Sequence, residues 1–210
     1  MGRMRNVLVA GLAMVTPAVQ APVLAVTAEP EAAGSEASGK AEARAVLTDG
    51  LVGGLKACRL WVLHPDTWAE GAGPFVKDVG LEGAMGQVAA VAEVNLPPEA
   101  WQAGNIYWRI NSTLDAGYVL VVSHRMPICH LTGGGAEDLQ PVVAEVLASA
   151  EFGSAWRKID EAALGDMVST TFVSREEPDF TMVVSRAAAP GARRDRVQVI
   201  ASASFEPAGE

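Results

Sequence analysis

Cys58 and Cys129 are the two cysteines of this 210-residue chain, and its three histidines, His64, His124 and His130, each lie within six residues of one of them. That grouping is compatible with three chemistries. The thiols can join as a disulfide, two thiolates and two imidazoles can hold zinc in a tetrahedron, or one thiolate beside an imidazole can act as a nucleophile. Spacing separates the three. Zinc ligands come in close pairs, whereas Cys129 and His130 are neighbours in a strand-like stretch, where adjacent side chains face opposite ways. The same alternation keeps His130 from serving as the base of Cys129. The expectation is a Cys58–Cys129 disulfide, with no metal and no cofactor.

Other groups offer less. Serine chemistry lacks a G-x-S-x-G turn; Ser123 and His124 are adjacent on a strand, and Ser169, Ser202 and Ser204 read as the polar face of half-buried strands. Thr132-Gly133-Gly134-Gly135 resembles a phosphate cradle only loosely. No Lys-Ser or Lys-Thr follows it, and Glu137 and Asp138 would repel an anion there, so it reads as a hinge and helix start. The carboxylate pairs Glu137/Asp138, Asp160/Glu161 and Glu176/Glu177 sit at helix starts or turns, where acids favour the helix dipole or stay in water. A hydrolase-type alternative uses His64, His124 or His130 with Asp66, and it requires at least two of these groups to converge in one concave pocket. Of the five tryptophans, Trp108 alternates with polar neighbours and belongs in the core, while Trp68 and Trp101 lie in loop-like sequence and form the candidate binding patch.

The address of the chain narrows what these residues meet. Residues 1–28 set Arg3 and Arg5 before an apolar run, the order of a secretory signal peptide, with cleavage favoured after Ala28 and an earlier site at Ala21. The run is close to the roughly 20 apolar residues that cross a bilayer, but Pro17, Gln20 and Pro22 weaken it as an anchor, so no stable transmembrane span is expected after cleavage. Residues 29–44 are small, polar and acidic and read as a disordered linker. Residues 45–210 are expected to form a single α+β domain.

Removing residues 1–28 takes away two arginines and no acid, moving the formal net charge from −9 to −11. A nucleic-acid partner is disfavoured by that balance. The basic cluster Arg193-Arg194-Asp195-Arg196 is short and reads as a solvated loop. Twelve arginines against four lysines, with abundant Ala, Val and Gly, suggest a GC-rich bacterial source, so export means the periplasm or beyond. The Asn111-Ser112-Thr113 sequon is then an accident of turn composition.

The elements that must position these groups follow from periodicity. Leu47, Leu51, Leu55 and Cys58 repeat at steps of four, four and three on one helical face. Gly50, Gly53 and Gly54 each cost such a helix about 1 kcal/mol against alanine, so packing must hold it. His64-Pro65-Asp66 ends it, and a short helix from Pro74 carries Phe75 and Val79. Strands are predicted at 106–110, 118–122 and 128–131. Leu139, Val142, Val143, Val146 and Leu147 mark an amphipathic helix that accepts Pro141 in its first turn. A short helical stretch is expected around 156–163, then strands at 168–174, 180–185 and 197–205. The expected fold is α+β: an antiparallel sheet from two three-stranded meanders separated by an amphipathic helix, with N-terminal helices packed on the sheet. The expected role is an exported, periplasmic or extracellular, non-catalytic module that binds a protein, peptide or envelope component.

Overall fold

A computed structural model describes residues 31–111, 115–194 and 196–205. The predicted signal peptide lies outside the described residues. Helix α1 (Glu31–Leu63) opens the fold, followed by α2 (Asp66–Ala69) and α3 (Ala72–Asp78). Leu47, Leu51, Leu55 and Cys58 are all buried along one face of α1, as their spacing requires. The helix runs from Glu31, inside the segment read as a linker, and among the side chains described its first buried one is Leu47. Ala, Glu and Lys are strong helix formers even where there is nothing to bury, which explains an Ala-rich helical stretch ahead of Leu47.

Four strands follow α3: β1 (Met85–Val88), β2 (Asn105–Ile110), β3 (Ala116–Ser123) and β4 (Ile128–Gly135). Helices α4 (Gln140–Ala148) and α5 (Ala150–Ala155) then lead into β5 (Trp156–Leu164), β6 (Met167–Ser174), β7 (Phe180–Ala187) and β8 (Val197–Phe205). All eight strands form one sheet in the order β1-β2-β3-β4-β8-β7-β6-β5, every pair antiparallel. Each half of the chain is thus a helical segment followed by a four-stranded meander. The last strands of the two meanders, β4 and β8, pair at the centre, so the halves are related by an approximate two-fold axis through that seam. The α+β class and the antiparallel sheet under N-terminal helices match the sequence reading, with one strand more in each meander.

The two added strands have simple physical origins. Strand β1 comes from the stretch 83–94 that periodicity left unassigned, because in four residues only Met85 is buried. Strand β5 replaces the helix expected around 156–163. It is a sheet edge with Trp156 buried and every later residue exposed, so no period-two burial pattern marks it. A third correction concerns Gly133-Gly134-Gly135, which form the end of β4 rather than a hinge. A Cβ at Gly133 would fall 2.7 Å from the Tyr118 ring and 2.6 Å from Val199, so the bare backbone is what lets β3 and β8 close on β4 with those side chains between them.

Close approach also explains the glycines of α1. The helix lies on β3 and β4, where Gly54 faces Leu131, Gly50 faces the Tyr118 ring, and the Cys58–Cys129 disulfide fastens helix to sheet across a Cα separation of 5.3 Å. Asn111, in the left-handed region at φ 55°, donates from Nδ2 to Val46 O at 2.6 Å, and Tyr118 OH donates to Leu47 O at 3.0 Å. A methyl at Gly50 would collide with the Asn111 amide. Gly50→Ala is therefore expected to destabilise by about 1 kcal/mol, since overpacking costs about 2 kcal/mol and the helix propensity gained offsets about 1. Gly39→Ala, on the same helix with nothing within 4 Å, should be neutral or slightly stabilising. Thermal unfolding of the two variants separates packing from propensity.

On the sheet face away from α1, Val121, Ser123, Ile128, His130 and Thr132 are nonetheless buried. The β1–β2 connection, with 3-10 turns at Glu93–Asn95 and Glu99–Trp101, lies over them: Thr132 Oγ1 donates to Asn95 Oδ1 at 2.8 Å and Ser123 Oγ to Ala103 O at 2.6 Å. Buried Gln198 shapes the exit from β4 by donating to the carbonyls of Gly135 and Glu137 and accepting from Leu139 N.

Candidate functional site

A cleft of about 300 Å³ opens between α1, α4, α5 and the start of β5. Val52, Leu55, Lys56 and Arg59 fall at positions i, i+3, i+4 and i+7, so α1 turns one stripe toward it that is apolar at one end and cationic at the other. Val146 of α4, Phe152 of α5 and Trp156 complete the apolar floor. These aromatic walls are rigid. Phe152 meets Phe172 edge-on with centroids 5.0 Å apart, and Trp156 lies 5.3 Å from Phe180. Ser149 fixes the start of α5 by accepting from Phe152 N at 3.1 Å.

Arg59 stands at the rim. One terminal nitrogen, Nη2, pairs with the Glu176 carboxylate, while Nε is buried with no hydrogen-bond partner among the described residues. Glu176, in the β6–β7 turn, also approaches His64 Nε2 at 3.3 Å. Lys56 is exposed beside Arg59, and the exposed carboxylate Glu151 of α5 also lines the cleft. The arrangement can take an apolar tail on the floor and an anionic head at the rim.

The other residues singled out by the sequence are dispersed. His64 follows α1 and faces Glu176, while Asp66 is exposed in the first turn of α2. His124 is exposed in the β3–β4 turn beside Gly104. His130 is 5 % exposed on the far face of the sheet, opposite in direction to Cys129, and its Nδ1 lies 2.8 Å from Ser202 Oγ. Burial pushes its pKa down to about 4, so the imidazole is neutral at physiological pH. Trp68 is half-buried, stacked on Trp61 with centroids 4.2 Å apart, and donates from Nε1 to Trp61 O at 3.0 Å. A small cavity of about 150 Å³ beside it is lined by Trp61, Phe75 and Trp108. Trp101 is half-buried in the β1–β2 connection and does not line that cavity.

Both cysteines are joined in the disulfide, and among the described residues no three of His, Cys, Asp and Glu cluster as metal ligands do. The cleft itself was not among the sites read from the sequence. Its signal was the stripe from Val52 to Arg59, obscured because Gly50, Gly53 and Gly54 interrupt that part of the helix and the partner wall comes from α5, which lacks a periodic pattern. The chain matches no protein-family model, no curated protein and no solved structure.

Proposed function

We propose that this chain is an exported, non-catalytic binding module, and that the cleft between α1, α4 and α5 holds an anionic amphiphile of the cell envelope. The carrying observation is the cleft's polarity: an apolar floor of Leu55, Val146, Phe152 and Trp156 beneath a rim that carries Lys56 and Arg59 against the single lining acid Glu151, with Arg59 Nε buried and unpartnered among the described residues. Its volume is at the lower end of the roughly 300–1,000 Å³ of small-ligand sites. Export is supported by the disulfide, since such bonds persist in oxidising compartments. Among the described residues no helix is long and apolar enough to cross a membrane.

Calorimetric titration with decanoate tests the reading, with decyltrimethylammonium as the cationic control of equal tail. Decanoate is expected to bind, the cationic amphiphile not, and Arg59→Met to weaken decanoate about tenfold, the value of one charge-assisted hydrogen bond. The Glu176 pair lost in that variant is exposed enough to contribute little to stability. Equal binding of the two amphiphiles, or indifference to Arg59→Met, would sink the proposal.

The hydrolase-type alternative requires at least two of His64, Asp66, His124 and His130 in one pocket, whereas His130 is buried on the far face of the sheet against Ser202. A base with a pKa near 4 is poorly matched to proton abstraction at neutral pH, which favours the binding reading.

A further inference from the structure

The two edges of the sheet are unlike. Strand β1 has four residues, whereas β5 has nine, pairs with β6 along its inner side from Trp156 to Leu164, and leaves its outer side without a strand partner among the described residues. Trp156 fixes the start of β5 in the aromatic cluster, and Ile159 and Leu164 are 50 % and 74 % exposed. A long edge with exposed apolar side chains is a template for strand addition.

The order of its charges specifies what can be added. Arg157 and Lys158 precede Ile159, and Asp160 and Glu161 follow it, so one half of the segment is cationic and the other anionic. An antiparallel copy sets cations against anions; a parallel, in-register copy sets like against like. We propose that β5 is a homodimer edge, two copies of this chain pairing antiparallel along it about a two-fold axis that passes between Ile159 and Asp160.

In this register Lys158 stands opposite Glu161 of the second copy, Arg157 opposite Ala162, and Trp156 opposite Ala163. Opposed residues must share a face of the sheet. Residues three apart in a regular strand do not, but β5 carries a bulge between Lys158 and Asp160 that restores the match. Lys158 then registers with Phe172 and Glu161 with Thr170, two positions on one face of β6, and Lys158 Nζ donates to Glu161 Oε2 at 2.9 Å. That ammonium, together with the Thr170 hydroxyl 3.0 Å away, holds the Glu161 carboxyl below the usual carboxylate range. Two lysines and two glutamates would alternate about the two-fold axis, each cation between anions. Charged side chains and bulges also protect edges from pairing at all. That competing account places no demand on the order of the charges and requires a monomer.

Sedimentation of the full chain in about 0.15 M salt, where charges more than about 8 Å apart are screened, decides between them. The chain is expected to dimerise, and Lys158→Glu or Glu161→Lys alone to weaken self-association by at least about tenfold, because each sets like charges face to face. The two single variants mixed in equal amounts should recover a dimer, since the paired carboxylates of the first then meet the paired ammonium groups of the second. The double variant, with both charges reversed, should recover it as well. A wild-type chain that stays monomeric to near-millimolar concentration overturns the proposal. So does a dimer indifferent to the single reversals, or a mixture of correctly folded single variants that fails to associate.

Discussion

Replacing Cys58 and Cys129 together by alanine is expected to lower the unfolding free energy by about 4 kcal/mol, the largest effect of any small change in this molecule. The two cysteines are 71 residues apart, and a cross-link closing a loop of that size removes a corresponding share of the entropy of the unfolded chain. Both residues are fully buried between α1 and β4, so the alanines leave the surrounding apolar wall intact and expose no new polar atom. With a urea dependence of about 2 kcal/mol per molar, the unfolding midpoint should fall by about 2 M. A fall under about 0.5 M would show that the contacts of α1 with Tyr118, Leu131 and Ile110 hold the helix without covalent help.

The second large effect is a loss of stability in acid that one residue controls. His130 is neutral when folded, with its pKa pushed down to about 4 by burial, and takes up a proton at its ordinary value of about 6.5 once unfolded. Between those values the unfolded chain binds more protons than the folded one, so stability falls as pH falls. It is fully present above pH 6.5, and the loss is complete below about pH 4. Its full size is about 3 kcal/mol, from about 1.4 kcal/mol per pH unit of separation. His130→Gln keeps a polar group beside Ser202 and cannot titrate, so its urea midpoint should fall by about 1.5 M less than the parent's between pH 7.5 and pH 4. An equal acid slope in both proteins would place the sensitivity in the carboxylates instead.

Burial of His130 was not readable from the sequence, for a reason that lies in the layers of the fold. Alternation along β4 correctly separates Cys129 from His130, and it identifies Cys129 as the inward residue because Cys58 shares a helical stripe with Leu47, Leu51 and Leu55. It leaves the other face of the sheet as solvent. On that face the β1–β2 connection, a segment with no period of its own, is held against the sheet by Thr132 and Ser123, and His130 packs beside Ser202 of β8. Edge strands fail for a related reason: β1 and β5 are half-paired and mostly exposed, so neither carries the alternating burial that marks β3 or β7. The strongest signals in the chain are those where one face meets one layer, as in α4, whose Val142, Val143 and Val146 are all buried. The cleft needed two surfaces from distant segments, α1 and α5, and no pattern within either one announces the other.

The central seam gives the last described strand an interior position. Strand β8, last in chain order among the described strands, is flanked by β4 and β7. Until it arrives, the first meander and its disulfide can close, but β4 remains an open edge, and so does β7 on the other side. Among the described strands the sheet is therefore closed by the latest-made one, like an arch whose keystone is set last. A chain stopped before Val197 would present two bare interior edges, each a site for mispairing with a neighbour.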